Sequence, residues 1–264
     1  MKGEGAIISA AIMMSTVSIF VREIEGNALS VAFVRFSSAS AFLLAFIILM
    51  KIRVKFSKIL VILASLNTLT VSCYIYAIQN LEVATAALLL YMAPVYVLLI
   101  SFLIGEKVER RSILAIVFGL LGLYLMLSPY PKLEFSIIVA VFSGLFYALV
   151  FIITKKARES HDPIEISTFN VLLGAILLLP FFLYDPVSAE VLVVIAIGLI
   201  PTALPFTLFA YGIKYVKVQR APIISLIEPV SAAFIGYIYF GEILSVIQLF
   251  GAVLVLFSIF LTSS

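Results

Sequence analysis

Two charged residues lie inside long apolar stretches of a chain that is 64% hydrophobic. Arg35 falls in the stretch AFVRF, and Glu228 falls in the stretch IEPV. A charge near the centre of a membrane helix costs about 2.5–3.5 kcal/mol on insertion scales, so such side chains usually face a cavity or each other. Arg35 could therefore hold a substrate carboxylate, while Glu228 could hold an amine or cycle a proton. The alternative is a structural ion pair, or two side chains that extend to the membrane surface.

Six further polar side chains within apolar segments are candidates for contact with a substrate. They are Asn67, Tyr76, Tyr91, Tyr147, Asn170 and Tyr211. An amide such as that of Asn67 has several donors and acceptors to satisfy, and the two central tyrosines, Tyr91 and Tyr147, are deep enough to reach a bound molecule. The alternative for these two tyrosines is a buried hydroxyl bonded to a neighbouring helix, whereas many of the tyrosines are expected in the belts at the membrane surface.

Four prolines inside apolar segments are predicted to act as hinges. Pro201 and Pro205 are one helical turn apart, and Pro94 and Pro229 lie near the centres of two other segments. Each proline removes a backbone donor and kinks its helix. The carbonyls freed in this way need a hydroxyl, another protein group or a water-filled cavity. A bend required only by the packing of the helices is the alternative.

The composition argues against several classes of function. A single cysteine, Cys73, allows no internal disulfide or thiolate metal site. The single histidine, His161, lies in the charged segment KKARESHDP, so we expect no buried histidine-based catalytic centre. The chain has no G-x-x-x-x-G-K-[ST] loop of an ATP-driven pump. We therefore expect no enzyme, cofactor, metal or nucleic-acid partner. An integral-membrane enzyme and a passive channel are the alternative functions.

Ten apolar segments are long enough to span a bilayer. We predict an all-α integral membrane protein with helices 1 to 10 at about 4–22, 28–50, 58–79, 83–104, 111–128, 135–154, 164–184, 189–213, 218–240 and 245–262. Helices 5 and 10 carry small residues seven positions apart, Ala115 with Gly122 and Gly251 with Ser258. Because small residues allow backbones to approach closely, these two helices are predicted to form packing or dimer surfaces.

The loop charges predict that both termini are cytoplasmic. With this orientation 14 of the 17 basic residues face inward, which is the bias that sets membrane topology. The inward residues are Lys2, Lys51, Arg53, Lys55, Lys58, Lys107, Arg110, Arg111, Lys155, Lys156, Arg158, Lys214, Lys217 and Arg220. Only Arg22 and Lys132 are assigned to outer loops. We expect the protein in the cell membrane, plasma or inner, in contact with its lipids.

The two halves of the chain repeat each other. A shift of 135 positions takes Pro94 to Pro229, Tyr76 to Tyr211 and Arg35 to Asn170, while Glu106 and Glu242 are 136 apart. Residues 1–128 and 129–264 are therefore predicted to be two five-helix repeats. Because five is an odd number of crossings, the second repeat must be inverted, an architecture that secondary transporters use.

The pattern of these residues resembles a known family. The stretch AFVRF in helix 2, Tyr76-Ala77 at the end of helix 3, Pro-Val in helices 4 and 9, and Phe240-Gly241-Glu242 followed by QLFGA are similar to EamA-type members of the drug/metabolite transporter superfamily. The resemblance covers essentially the whole chain. One departure is the absence of tryptophan; the other is Ala11-Ile12-Met13, which stands where relatives often carry a Trp-Gly pair.

The resemblance implies a metabolite permease, often an exporter of amino acids or related amphiphilic compounds. It implies a central cavity lined by helices 1–4 and 6–9, with Arg35, Asn67, Tyr91, Tyr147 and Glu228 as the candidate lining. Transport would proceed by alternating access, either coupled to protons or uncoupled. We expect a small-molecule substrate and a monomer or homodimer. Substrate identity, direction and coupling ion remain open.

The predicted topology can be tested with single cysteines in a Cys73→Ser background. Cysteines introduced at Lys132 or Asp185 should react with an impermeant thiol reagent added to intact cells, because both positions are assigned to outer loops. A cysteine at Lys214 is the matched inner control and should react only after lysis. Labelling of the Lys132 and Asp185 positions only after lysis would reverse the assignment.

Overall fold

A computed structural model describes residues 2–21, 23–81, 83–105, 107–127, 135–241 and 243–263. Four residues used in the sequence argument lie outside the described residues, namely Arg22, Glu106, Lys132 and Glu242. What was predicted for them stays a prediction.

The described residues form ten apolar helices, labelled α1 to α10 in chain order, which confirms the all-α membrane fold. Nine are long and apolar enough to cross a membrane, and the tenth is shorter. Their bounds are α1 Lys2–Ser15 with Val17–Val21, α2 Ala28–Leu49, α3 Lys58–Asn80, α4 Val83–Leu90 with Ala93–Leu103, α5 Arg110–Leu127, α6 Phe135–Ala157, α7 Pro163–Tyr184, α8 Val191–Gly198 with Leu199–Ala203 and Leu204–Ile213, α9 Ala221–Ile224 with Ile227–Phe240, and α10 Val246–Ser263.

Two compact units make up the chain, and each takes residues from both predicted halves. The first unit comprises Met1–Thr68 and Ile153–Tyr215, and the second comprises Leu69–Ile152 and Val216–Ser264. The units therefore do not coincide with the proposed repeats 1–128 and 129–264. The inverted relation between these repeats stays a prediction.

In the first unit, hydrogen bonds tie the start of α2 to the end of α7. Asn27 accepts the backbone N–H of Ser30 and so caps α2, a position at which asparagine is preferred. The amide nitrogen of Asn27 also donates to the carboxylate of Asp185, at 2.7 Å. The hydroxyl of Ser30 donates to the carbonyl of Asp185, also at 2.7 Å. These bonds fix α2, which carries Arg35, against α7.

At the start of α7, the buried Glu165 makes a second such connection. Its side chain accepts the backbone N–H of Asp162 at 2.9 Å, as in a capping box, and the backbone N–H of Lys55 at 2.9 Å. The loop after α2 is thus attached to the start of α7. Together, the two sets of bonds anchor both ends of the pair of helices that contains Arg35 and Asn170.

Close packing of α5 against α10 dominates the second unit. A β-carbon at Gly122 would lie 2.5 Å from the carbonyl oxygen of Gly251, and one at Gly251 would lie 2.5 Å from that of Gly122. Ala115 and Ser258 are fully buried. These four small residues therefore lie in the contact between α5 and α10 within this unit, where they are buried.

A clasp of charged side chains joins two loops of the second unit. Glu109, just before α5, forms ion pairs with Lys217 and with Arg220, the latter at 3.2 Å. The hydrogen bond from Lys217 and the two bonds from Arg220 lower the pKa of the Glu109 carboxyl. The side chains are partly or largely exposed to solvent, so the clasp orients the loops more than it stabilises the fold.

The glycine packing can be tested by adding one methyl group. Gly122→Ala should lower the free energy of unfolding by about 1–3 kcal/mol, because the backbones of α5 and α10 must separate to accept it. Thermal unfolding in detergent measures the effect. Gly5→Ala in α1 is the matched control, since nothing lies within 4 Å of its β-carbon position, and it should not destabilise the protein. Equal stability of the two variants would contradict the close approach.

Candidate functional site

The two prolines of α8 leave two carbonyls of that helix without their usual donors. In a regular helix the N–H of residue 201 would bond to the carbonyl of Ile197, and that of residue 205 to the carbonyl of Pro201. Proline has no N–H, so neither bond can form. Around Pro201 the helix widens into a π-helical turn, Leu199–Ala203, in which the N–H of Leu204 bonds to the carbonyl of Leu199. Such turns often mark functional sites.

Arg35 and Thr202 supply the missing donors. The hydroxyl of Thr202 donates to the carbonyl of Ile197 at 2.8 Å. A nitrogen of the Arg35 guanidinium, Nη2, donates to the carbonyl of Pro201 at 2.9 Å, and its Nε donates to the Thr202 hydroxyl at 2.7 Å. Thr202 is fully buried. The freed carbonyls are thus satisfied by protein groups, as the sequence argument required, and one of the donors is the intramembrane arginine.

Arg35 also lies near the aromatic ring of Phe206, and a close contact between α2 and α8 allows it to reach the Pro201 carbonyl. The guanidinium lies 5.8 Å from the centre of the Phe206 ring, within the range of a cation–π interaction. On the next turn of α2, the hydroxyl of Ser38 donates to the carbonyl of Val194 at 2.7 Å. A β-carbon at Gly198 would lie only 2.3 Å from this hydroxyl oxygen. Gly198 therefore allows α8 to come close enough for Arg35 to reach Pro201.

Asn67 and Asn170 also lie in the first unit, and both are buried. Their relative exposures are 7% and 8%, respectively. The amide nitrogen of Asn67 and the amide oxygen of Asn170 have no hydrogen-bond partner among the described residues. Buried polar groups are nearly always bonded in folded proteins, so two such groups call for an explanation. One is a donor and the other is an acceptor.

In the second unit, Glu228 is surrounded by tyrosines. A hydrogen bond joins its side chain to that of Tyr91, which is 9% exposed, and Tyr74 and Tyr147 are close enough to interact electrostatically with it. Tyr147 packs edge-on against Phe151 at 4.8 Å between ring centres. The structure thus brings together Tyr91, Tyr147 and Glu228, all three of which the sequence singled out.

Helix breaks before two prolines position the Glu228 cluster. The two parts of α4 meet at Tyr91 and Met92, just before Pro94, and the two parts of α9 meet at Ser225 and Leu226, before Pro229. Next to the first break, a β-carbon at Gly144 would lie 2.3 Å from the carbonyl oxygen of Leu89. Tyr91 therefore lies at one helix break, and Glu228 lies in the first helical turn after the other. Motion at Pro94, Pro201, Pro205 and Pro229 stays a prediction.

Two of the predicted site tyrosines have substantial solvent exposure. Tyr76 is 41% exposed and Tyr211 is 37% exposed. Tyr211 lies beside Tyr215, with the ring centres 5.3 Å apart. This exposure is compatible with the belts of tyrosine at the membrane surface, the alternative given by the sequence. A contact with substrate at these two residues stays a prediction.

Sequence reasoning missed three features of the two units. Tyr74 was not singled out, although it lies near Glu228. Thr202 was noted only as a neighbour of Pro201. His161 was expected in a charged loop, yet it is 7% exposed, with its Nε2 2.8 Å from the Ser57 hydroxyl and its Nδ1 3.4 Å from Glu165. A histidine flanked by several charges gave no signal that its ring would be buried against another loop.

No metal site is visible in the described part of the chain. There, no three His, Cys, Asp or Glu residues come together in a way that could hold a metal ion. His161 and Glu165 form a pair without a third ligand. The chemistry that the two units offer is therefore hydrogen bonding and charge: a cation with amides in one, and a carboxylate with phenols in the other.

The family model that matches this chain is the EamA-like transporter family. It matches residues 1–128 and residues 134–264, so the two segments together cover nearly the whole sequence. Each segment falls within one of the two predicted repeats. The resemblance read from the sequence is thus confirmed at the level of the family.

Relatives of known sequence or structure agree with this match. An uncharacterized transporter of Archaeoglobus fulgidus is 51% identical over 254 residues, covering 96% of this chain and 93% of the relative. The pseudopaline exporter CntI of Pseudomonas aeruginosa is 22% identical, covering 94% of this chain and 91% of the relative. A solved crystal structure shares the fold with a TM-score of 0.86, at 17% identity, over 98% of this chain and 95% of that one.

The role of Thr202 can be tested by removing its hydroxyl. Thr202→Val should lower the free energy of unfolding by about 1–3 kcal/mol, because the carbonyl of Ile197 and the Nε of Arg35 lose their partner. Thr202→Ser keeps the hydroxyl and should remain close to wild type. Unfolding in detergent measures both.

Thr207→Val is the control for Thr202→Val. The Thr207 hydroxyl donates to the carbonyl of Ala203 at 2.8 Å. Residue 207 also has a backbone N–H, the regular helical donor to that carbonyl, so the carbonyl does not depend on the hydroxyl. Its loss should cost no more than about 0.5 kcal/mol. Similar losses at Thr202 and Thr207 would contradict a special role for the freed carbonyls.

Proposed function

The chain belongs to the EamA-like transporter family, and we propose that it is a secondary transporter that exports small metabolites across the cell membrane. The proposed substrates are amino acids or related amphiphilic compounds. They are moved by alternating access, in which a binding site near the middle of the membrane opens to one side at a time.

The observation that carries this proposal is the hydrogen-bonded pair of Glu228 and Tyr91 in the second unit. A carboxylate in a membrane-spanning helix is costly and is retained where it has a function. Its surroundings fit a positively charged group, because ammonium ions bind both to carboxylates and to the faces of aromatic rings. Tyr74, Tyr91 and Tyr147 provide such rings. A bound amine would also balance the charge of Glu228.

The first unit offers the complementary chemistry. The guanidinium of Arg35 is held in a defined position by the Pro201 carbonyl and the Thr202 hydroxyl. A planar guanidinium suits a carboxylate, to which it can donate two parallel hydrogen bonds. Each unit by itself therefore offers a partner for one kind of charged group, the first unit for a carboxylate and the second for an amine.

The name of one relative supports the direction of transport. CntI is an exporter, and this chain aligns with it over 94% of its own length. We propose export on that basis. Both termini are placed in the cytoplasm on the evidence of the loop charges. The protein is proposed to act as a monomer or homodimer; any dimer contact of α5 and α10 would use residues other than the covered small ones.

Glu228→Gln tests proton coupling. Purified protein is first screened for thermal stabilisation by amino acids, nucleosides, sugars and amphiphilic drugs, since a bound ligand raises stability by mass action. The compound that stabilises most is then used in proteoliposomes. Glu228→Gln should abolish transport driven by a pH gradient and weaken the stabilisation by a substrate with an amine, because glutamine can still bond to Tyr91 but neither titrates nor carries the charge that binds an ammonium group.

The control is Glu109→Gln, which removes a carboxyl of the loop clasp outside the membrane-spanning helices. It should keep pH-driven transport. If Glu228→Gln shows the pH dependence of the wild type, proton coupling through this residue is wrong. If no amino acid and no amphiphilic compound stabilises the wild type or is transported by it, the proposed substrate class is wrong.

A further inference from the structure

The two positions joined by the hydrogen bond between Arg35 and Thr202 have equivalents elsewhere in the same unit. The shift of 135 positions that relates the two halves takes Arg35 to Asn170 and takes Asn67 to Thr202. The contact between Arg35 and Thr202 therefore corresponds to a contact between Asn170 and Asn67. All four residues belong to the first unit.

The equivalent contact is not made in this structure. Arg35 donates to the Thr202 hydroxyl at 2.7 Å, whereas Asn67 lacks an acceptor for its amide nitrogen and Asn170 lacks a donor for its amide oxygen. The two unsatisfied atoms are complementary, since one needs an acceptor and the other is an acceptor. Both side chains are more than nine-tenths buried, so bulk water is not available to either.

The starts of α2 and α7 correspond at the same shift. Asn27 caps α2, and Asp162, 135 positions later, is the N-cap residue of α7. Each of these helix starts is bonded to a segment of the other half: Asn27 to Asp185, and Glu165 in the first turn of α7 to Lys55. The two sets of bonds are alike in place, although their partners do not match residue by residue.

The helices that carry the two amides, α3 and α7, also lie close to each other near Asn67 and Asn170. A β-carbon at Gly174, one turn after Asn170, would lie 3.3 Å from the hydroxyl oxygen of Thr68, the residue after Asn67. The missing side chain of Gly174 makes room first for the Phe36 ring of α2, 2.7 Å from the same β-carbon position, and also brings α7 into contact with Thr68 of α3 near the two amides. A small sliding or rotation of one helix would change which groups face each other.

We propose that Asn67 and Asn170 bond to each other in a second state of the transporter, in which the bond between Arg35 and Thr202 is broken. The proposal rests on the transport cycle proposed above. In transporters built from two inverted copies, one copy moves against the other around a fixed site. A movement in which the copies take up each other's arrangement would replace the contact of one copy with the equivalent contact of the other. The two amides are then positioning residues, which set the relative stability of the two states.

The Nε–H of Arg35 reports directly on this exchange. Its rate of hydrogen exchange with solvent can be followed by NMR in protein labelled with ¹⁵N at arginine only. Asn67→Leu and Asn170→Leu should each slow this exchange about tenfold, because the second state loses a hydrogen bond while the described state loses none. The double variant should be no slower than either single variant, since both changes remove the same bond.

Thermal stability separates this role from a purely structural one. Leucine in place of a buried amide that lacks a partner should leave the melting temperature unchanged or raise it. Asn80→Leu is the matched control; Asn80 is exposed and donates to the carbonyl of Tyr76 at 2.8 Å, and its loss should not alter Arg35 exchange. Asn67→Ala and Asn170→Ala must reproduce the slowing if leucine does not fit.

Three results would overturn the proposal. Unchanged or faster exchange of the Arg35 Nε–H in the single variants would mean that no second state depends on the amides. Slowing that multiplies in the double variant would mean that the amides act separately. A lower melting temperature in both alanine and leucine variants would mean that the amides hold the described state together. None of these measurements requires a substrate, so they stand apart from the transport assay.

Discussion

A carbonyl inside a membrane must find a donor within the protein, and this requirement governs the first unit. Pro201 and Pro205 free two carbonyls of α8, and an arginine in the neighbouring helix is itself costly without acceptors. The freed carbonyl needs a donor and the arginine needs an acceptor, so each satisfies the other. The guanidinium of Arg35 bonds to the Pro201 carbonyl, and Thr202 connects the guanidinium to the carbonyl of Ile197. The position of the arginine is therefore fixed by the backbone of α8, and any motion of that helix must also move or release the charge.

The second unit meets the same requirement in a different way. In α4 and α9 the chain breaks in the residues before Pro94 and Pro229, and the backbone continues through short turns. The N–H of Glu228 bonds to the carbonyl of Ser225, which Pro229 could not satisfy. The break thus satisfies a backbone group and places a carboxylate beside the end of a helix. In the first unit, the carbonyl of Pro201 accepts a hydrogen bond from Arg35 of the neighbouring helix. In the second unit, the break before Pro229 places Glu228 of the same helix near the tyrosines.

The sequence predicts the helices of this protein well and the partners of its side chains poorly. Length and apolar composition determine which segments can span a bilayer, and every predicted segment corresponds to a helix of the structure. Which side chains meet depends on how each helix is rotated about its axis, which composition does not encode. Tyr74 and Tyr76 illustrate this, since residues two apart on a helix point in nearly opposite directions. Tyr76 was predicted as a site residue because it is a polar side chain in an apolar segment, but Tyr74 is the residue near Glu228. The burial of His161 depends in the same way on a loop distant in sequence.

On the predicted repeat, the two halves of the chain differ at the positions that hold Arg35. At the positions of α3 that correspond to Pro201 and Pro205, the sequence has Leu66 and Thr70, and α3 is one uninterrupted helix from Lys58 to Asn80. Leu66 and Thr70 retain their backbone N–H groups, so α3 has no carbonyls freed by proline. An arginine at position 170 would therefore lack the acceptors that Arg35 has at Pro201. An uncharged amide there is consistent with this, because Asn170 needs only a single donor for its oxygen and carries no buried charge. On the predicted repeat, prolines in only one half are therefore in keeping with a cation at only one of the two corresponding positions.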